Sequence, residues 1–393
     1  MRVFRAVLFM APLIALFGAM CFPNNARGLP LFARKNALPC TTCHFAFPRL
    51  NAFGMTFRQN GYRMPGMKGE SPWESKEFPL AVVGNVGYSY SSVNADTGSG
   101  SGVRVTTATG AMVQNASEFH SAGTLAEDFT FHFDANFAGI GQQLSSGQAY
   151  VQFDDLGKDG VMNVRAGVFD ADIHYLASSR RTTLTDYLLP VTLAATGVEF
   201  NGTRSGWTYA AGLINSNRMF GKAGDKTLNN AENPFLWVMK DVGGSQLVGG
   251  RVYLDRQDPR LASKSASLHT QAELSAFINK ERFIVVPELT YEKYSDPDLT
   301  QRDKAMSGLV EALFYLDKNL HWLLTTRYEL RHMPKFDYQG APAFAEEDDE
   351  QMVANISWYA NPNAKLGLEW AHMADNVQGP RTNQINLFVN VGY

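Results

Sequence analysis

The strongest constraint on the fold is a series of short segments, from about Phe78 to the C-terminus, in which apolar and polar side chains alternate. In the clearest segment, Phe129–Phe137, phenylalanines occupy one face and polar residues the other. Similar alternation runs through Met162–Val168 and Gln384–Tyr393. A period of two residues indicates β-strands with one apolar and one wet face. The chain is therefore expected to be all-β, as a soluble sandwich or a membrane barrel.

Several features favour an antiparallel outer-membrane barrel. The apolar faces are rich in aromatic residues, and the last strand ends on Tyr393, as in outer-membrane barrels. About sixteen strands can be counted, an even number as in bacterial barrels, if a short segment at Phe235–Asp241 is included. Short turns alternate with long loops, which places both termini on the periplasmic side. The expected short turns are 125–128, 156–160, 202–206, 243–245, 279–281, 317–319 and 361–363, and the expected long loops are 94–112, 170–190, 215–233, 295–304, 333–349 and 374–382.

The composition agrees with a barrel. The sequence has 45% hydrophobic and 19% charged residues, an average that results when lipid-facing and lumen-facing residues alternate. Its net charge of -3 becomes -6 when residues 1–28 are removed, because Arg2, Arg5 and Arg27 lie there without an acid. A chain of this charge is not expected to bind nucleic acid.

The first 28 residues predict an export signal. An apolar stretch from Ala6 to Phe22 follows two arginines, and Ala26-Arg27-Gly28 suits cleavage after Gly28. The alternatives are an uncleaved anchor and a lipoprotein at Cys21, but Met20 stands where a small residue is expected. No later apolar run approaches the roughly 18 residues of a spanning helix. Membrane insertion is therefore expected through a β-barrel.

The motif Cys40-Thr41-Thr42-Cys43-His44 predicts covalent attachment of one c-type haem. Each thiol would add to a haem vinyl group, and His44 would be the proximal iron ligand. A zinc site lacks a second ligand pair nearby, and a redox-active C-x-x-C would need a βαβ context.

The residues after the motif predict one helix and a distal ligand. Pro48 suits the first position of the helix and Gly61 the residue after its end. Leu50, Phe53 and Phe57 form an apolar stripe, which is expected to face the haem. Met64 or Met67 is expected as the distal ligand, and Met55, on the opposite face, is a weaker candidate. Methionine would raise the reduction potential, and an open position would permit peroxide chemistry.

These residues resemble the fused monohaem cytochrome–porins, a family that includes outer-membrane Fe(II)-oxidising cytochromes. The resemblance covers about 35 residues: Leu29-Pro30-Leu31-Phe32-Ala33-Arg34-Lys35, Cys40-x-x-Cys43-His44, Pro48-x-Leu50-Asn51-x-x-Gly54, Phe57 and Asn60-Gly61-Tyr62. It implies electron transfer across the outer membrane, with Cys40, Cys43 and His44 as the haem residues. It does not establish the electron donor.

The expected domains are a signal peptide (1–28), a monohaem cytochrome c domain (29–66), a linker (67–79) and a transmembrane barrel (80–393). One haem in the periplasm cannot exchange electrons across a hydrocarbon layer about 30 Å thick. The haem domain is therefore expected to plug the barrel lumen, since a barrel of this size can hold more than side chains. A tethered periplasmic domain below an open pore is the alternative.

Other polar residues are candidates within this arrangement. His120 and His132 have the lumen-facing phase and could be distal ligands, plug contacts or solvated lumen residues. The loop with His174, Arg180 and Arg181 could fold inward as a gate or lie on the surface. The acidic run 346–350 is expected in an external loop, as a weak Fe(II) site or a solvated loop tip.

The expected function is electron transfer from an extracellular donor, with Fe(II) favoured, to a periplasmic carrier such as a soluble cytochrome. The protein would act as an Fe(II) oxidase if the resemblance holds. The alternatives are outward electron transfer to metals, a substrate-selective porin with a redox-sensing haem, and a haem enzyme such as a peroxidase.

Overall fold

The structure is a computed structural model of the chain. It describes residues 31–36, 38–64, 66–71, 79–96, 104–113, 117–137, 145–156, 161–171, 175–177, 180–189, 194–215, 233–257, 267–295, 303–333, 336–338, 341–344, 347–375 and 381–392. The expected signal peptide, His174, Tyr393 and residues 72–78 of the expected linker lie outside the described residues.

Short elements make up the N-terminal segment, residues 31–64. They are helix α1 (Leu31–Asn36), a 3₁₀ turn (Cys40–Thr42), strands β1 (His44–Ala46) and β2 (Arg49–Leu50), and helix α2 (Ala52–Gln59). The expected helix start at Pro48 is wrong, because Pro48 lies in the turn between β1 and β2. Helix α2 begins after Asn51, whose side chain accepts a hydrogen bond from the Gly54 N–H at 2.9 Å and caps the helix. The expected end near Gly61 is confirmed, with Gly61 at φ +66°.

The remaining strands follow in chain order. They are β3 (Ala81–Asp96), β4 (Arg104–Val113), β5 (Ser117–Ala126), β6 (Phe129–Phe137), β7 (Ser145–Phe153), β8 (Asn163–Asp170), β9 (Ala194–Arg204), β10 (Trp207–Asn215), β11 (Asn233–Gly243), β12 (Gln246–Gln257), β13 (Ser267–Lys280), β14 (Phe283–Ser295), β15 (Asp303–Tyr315), β16 (Trp322–Met333), β17 (Phe336–Tyr338), β18 (Ala341–Phe344), β19 (Glu347–Asn361), β20 (Ala364–Asp375) and β21 (Arg381–Gly392).

The sheet closes into an antiparallel barrel of sixteen strands, within the part of the chain that the structure describes. Strand β21 pairs with β3, which pairs on its other edge with both β4 and β5. Gly87 lies opposite Val113 and Val83 opposite Glu118, so β4 and β5 run in the same direction and form one strand with a bulge. The other barrel strands are single segments, and β17–β18 is a separate hairpin. The expected sixteen-stranded antiparallel barrel is confirmed, including the strand at Phe235–Asp241, which belongs to β11.

Most expected turns are confirmed to within a few residues. Strands β9 and β10 are joined by Ser205 and Gly206, and β11 and β12 by Gly244 and Ser245. The position of the acidic run is a correction: β19 begins at Glu347, so four of its five acids lie in the strand. The strand extends this far because its first residues pair with the end of β16.

The barrel has an apolar exterior and a filled interior. On β15, Val310 and Phe314 are exposed, whereas Leu309, Glu311 and Leu313 are buried. This alternation gives an outer-membrane barrel its lipid-facing surface. None of the described helices is long and apolar enough to cross a membrane.

The interior is packed by two parts of the chain. One is the N-terminal segment and the other is the inward loop, residues 175–177 and 180–189 between β8 and β9. Both contribute to a buried apolar cluster with the barrel wall, for example through Met55, Tyr175 and Tyr253.

Candidate functional site

The Cys40–His44 motif is held against the start of helix α2. The Asn51 backbone N–H donates to the Cys43 carbonyl at 2.9 Å, and the Asn51 side chain donates to the carbonyls of the two intervening threonines at 3.1 and 3.0 Å. A Cβ atom on Gly54 would lie 2.1 Å from the Cys43 carbonyl oxygen. Only glycine permits so close an approach. The motif backbone is therefore set by one asparagine and one glycine.

The two cysteines are half-buried free thiols. The Cys40 thiol donates to Asn363 Oδ1 at 3.4 Å, in the turn between β19 and β20. Burial raises the pKa of the Cys43 thiol to about 11. Reactive cysteines are usually thiolates with a lowered pKa, so the raised pKa of Cys43 disfavours a redox-active C-x-x-C.

His44 is arranged as a neutral imidazole. Its Nδ1–H donates to the Pro48 carbonyl at 3.2 Å. Burial lowers the pKa of His44 to about 4, so the ring is neutral near pH 7. A backbone carbonyl on Nδ1 leaves Nε2 as the ligating nitrogen, the usual arrangement of metal-binding histidines.

A cavity of about 350 Å³ adjoins the motif, within the range of cofactor sites. Cys40, Cys43 and His44 all line it. Much of the remaining lining is apolar and comes from the N-terminal segment, including Phe32, Leu38, Phe47, Leu50 and Phe57. His44 also lines a second cavity of about 460 Å³, whose wall includes residues of three short barrel turns.

The first cavity also carries cationic side chains. Arg58, Arg180, Arg181 and Lys365 line it. Arg58 Nη1 is buried without a hydrogen-bond partner among the described residues, and Lys365 is 1% exposed. Buried donors in native proteins are nearly always hydrogen-bonded, so this donor is available to an acceptor group of a bound molecule. Two thiols, a neutral histidine, an apolar lining, basic side chains and one arginine donor without a partner among the described residues together fit a haem, which has two carboxylates.

The methionines expected as distal ligands do not line this cavity. Met67 is 56% exposed and Met64 is half-buried, whereas Met55 is fully buried in the apolar cluster. The stripe is brought to the cavity in part, since Leu50 and Phe57 line it. The distal ligand assignment stays a prediction.

Two barrel histidines do line the cavity. The ring of His132 contacts those of Tyr62 and Tyr150, at centroid distances of 5.7 and 5.0 Å. Its Nδ1 is 2.6 Å from Tyr62 Oη. His120 Nδ1 is 2.5 Å from Asp134 Oδ1, and its Nε2 is 2.8 Å from Glu118 Oε2. The lumen-facing phase expected for both is confirmed.

The inward loop, one of the alternatives for residues 170–190, contacts the barrel wall. Glu369 accepts hydrogen bonds from the backbone N–H groups of Leu184 and Thr185, at 2.7 and 2.8 Å. Glu329 accepts from those of Leu188 and Leu189 at 2.7 and 3.1 Å. Two wall carboxylates thus hold the loop inside the lumen.

The sequence interpretation missed a buried ion pair between the N-terminal segment and the wall. Arg49 is completely buried and pairs with Glu311 of β15. It also donates to Tyr187 Oη at 2.7 Å and to the Tyr175 carbonyl of the inward loop. The sequence held one signal for this pair. Adjacent residues of a strand point to opposite faces, so Glu311 faces the lumen because its neighbour Val310 faces outward.

Comparisons with known proteins concern the barrel. No model of a protein family matches the chain, and no curated protein matches its sequence. The outer membrane channel DcaP of Acinetobacter baumannii is similar in structure, with a TM-score of 0.58 and 12% identity over 80% of this chain and 97% of that chain. The anion-selective porin from Comamonas acidovorans has a TM-score of 0.57 and 12% identity, over 80% of this chain and 99% of that chain. At these identities the likeness shows the fold alone: the chain has a porin-type outer-membrane barrel fold.

Proposed function

We infer that this chain is an outer-membrane electron conduit, in which a porin-type barrel encloses one covalently attached haem c. The observation that carries this proposal is the position of Cys40, Cys43 and His44. The three residues line one cavity inside the barrel, beside cationic side chains. When bound, a c-type haem supplies a reversible one-electron change at its iron.

Each part of the chain has a role in this proposal. Cys40 and Cys43 attach the cofactor, and His44 ligates the iron through Nε2. Arg58 and Lys365 bind its carboxylates. The apolar exterior of the barrel faces lipid and its buried polar residues face the lumen. The barrel wall therefore separates the site from lipid.

The position of the motif suggests both electron partners. His44 borders the second cavity beside Ser245 and Glu281, which lie in short turns. Short turns are periplasmic in such barrels, so a periplasmic carrier such as a soluble cytochrome would dock there. On the extracellular side, the inward loop lies in the lumen between the solvent and the motif. This obstruction favours a small extracellular donor, with Fe(II) preferred, over a protein donor. Outward electron transfer remains the alternative direction.

A substrate-selective porin is the second candidate, and the fold comparisons favour it. Its haem would sense redox state or stabilise the N-terminal segment in the lumen. Both candidates share the attachment chemistry, but they differ in what crosses the membrane.

The test uses the full chain, produced with the c-type haem maturation machinery and placed in liposomes that enclose a redox dye. Under the conduit proposal, the purified chain keeps haem on a denaturing gel, and external Fe(II) reduces the enclosed dye without liposome swelling in small sugars. The Cys40→Ala/Cys43→Ala variant should lose both haem and dye reduction.

A chain without covalent haem would overturn both candidates. Haem-independent swelling with no dye reduction would establish the porin. Reduction of external ferric complexes by an enclosed donor, without the reverse reaction, would reverse the direction of electron flow.

A further inference from the structure

The barrel wall places a second histidine, His132, in the same cavity as His44. The ring of His132 is 9% exposed and lies nearly parallel to those of Tyr62 and Tyr150, at angles of 14° and 8°. These two ring contacts and the hydrogen bond between Nδ1 and Tyr62 Oη leave the imidazole little freedom to turn. The orientation of its two ring nitrogens is therefore fixed. His132 lines the same cavity as Cys40 and His44.

The hydrogen bonds of His132 leave one nitrogen for a ligand. Nδ1 is engaged with Tyr62 Oη at 2.6 Å. Nε2 is buried and makes no hydrogen bond of good geometry among the described residues, and its one close contact is the Asp134 Oδ2 carboxylate oxygen at 2.8 Å. A histidine with Nδ1 fixed by an oxygen and Nε2 available has the arrangement of a metal ligand.

His120 lies in the same cavity but is engaged at both nitrogens. Asp134 and Glu118 lie at 2.5 and 2.8 Å from them. Ligation through His120 would cost one of these charged contacts. Ligation through His132 would displace only its contact with Asp134 Oδ2, and Asp134 would stay paired with His120 through Oδ1.

We propose that His132 of the barrel wall is the distal ligand of the haem iron, opposite His44. The inference rests on the proposed function and deepens it, since it assigns the second iron ligand to the barrel. The cofactor then joins the N-terminal segment to the wall, through Cys40 and Cys43 on one side and His132 on the other. Two histidines give a lower reduction potential than a histidine and a methionine.

The test is absorption and electron paramagnetic resonance spectroscopy of the purified, haem-loaded full chain. The wild type should be low-spin in the ferric state. His132→Ala should become high-spin and return to low-spin when imidazole is added. His372→Ala is the matched control, because His372 is also on a barrel strand but does not line the cavity. Met64→Ala and Met67→Ala should also stay low-spin.

A second variant covers the case in which His132→Ala does not fold. His132→Met keeps a ligand and should stay low-spin with a raised midpoint potential. An unchanged His132→Ala spectrum, or conversion to high spin in His120→Ala or a methionine variant instead, would overturn the proposal. A wild type without covalent haem would overturn the proposed function itself, which separates the two failures.

Discussion

Replacement of Arg49 by methionine should release the N-terminal segment from the barrel. Arg49 is completely buried, and its partner Glu311 is equally buried. Removing one member of a buried ion pair costs about 3–5 kcal/mol, because the remaining charge is left uncompensated. Arg327 Nη1 lies 3.8 Å from Glu311 and keeps part of the compensation, so the lower end applies. A loss of about 3 kcal/mol raises the displaced fraction about 100-fold.

Ion conductance across a planar lipid bilayer is the direct assay. The wild type should be closed most of the time, and Arg49→Met should show open bursts about 100 times more often. Protease sensitivity of residues 31–64 in liposomes should rise in parallel.

Two further variants test the reasoning. In Arg49→Met/Glu311→Met the uncompensated charge is gone, so closure should largely return. Lys68→Met removes an exposed pair with Glu127 and should change nothing measurable. If Arg49→Met conducts like the wild type, or if the double variant is no more closed than the single one, the ion pair does not hold the segment.

Two other variants probe the motif and the loop. Gly54→Ala should abolish covalent haem attachment on a denaturing gel, because its Cβ would lie 2.1 Å from the Cys43 carbonyl oxygen; Thr56→Ala on the exposed face of the same helix should retain it. Glu369→Ala should increase single-channel conductance, because it leaves two loop N–H groups and a hydroxyl without their acceptor, at about 1–3 kcal/mol each. Glu369→Gln keeps an acceptor and should conduct less than Glu369→Ala, and equal conductance of the two would argue against this role.

The barrel fold supplies part of the surroundings of the attachment motif. In a soluble cytochrome the haem is surrounded by its own domain. Here helices α1 and α2 are short, and the cavity beside them is completed by the barrel residues Ala122, His132 and Lys365. The barrel wall and the inward loop therefore supply much of the protein environment that would tune the cofactor.

The sequence alone was sufficient to predict the barrel. Alternation depends on local geometry, because successive side chains of a strand point to opposite faces. Segments such as 129–137 therefore indicate both the strand and its lumen-facing phase, and His132 was assigned correctly. The attachment motif is also local, so its residues were found without a structure.

The start of the helix at Pro48 and the assignment of the acidic run to a loop were both incorrect. Each error has a physical cause. Pro48 suits a first helical turn, but it is also compatible with the turn between β1 and β2 that the structure shows. The residues from Glu347 onward look like a polar loop, yet they pair with β16. Pairing between distant strands can override a local preference.

What surrounds the cavity was decided by tertiary structure alone. Met64 and Met67 follow the motif closely in sequence, but the turn after α2 leaves them outside the cavity lining. His132, some ninety residues beyond His44, reaches the cavity because the barrel closes around the N-terminal segment. Proximity of this kind depends on closure and packing between distant parts of the chain, and neither leaves a periodic signal in the sequence.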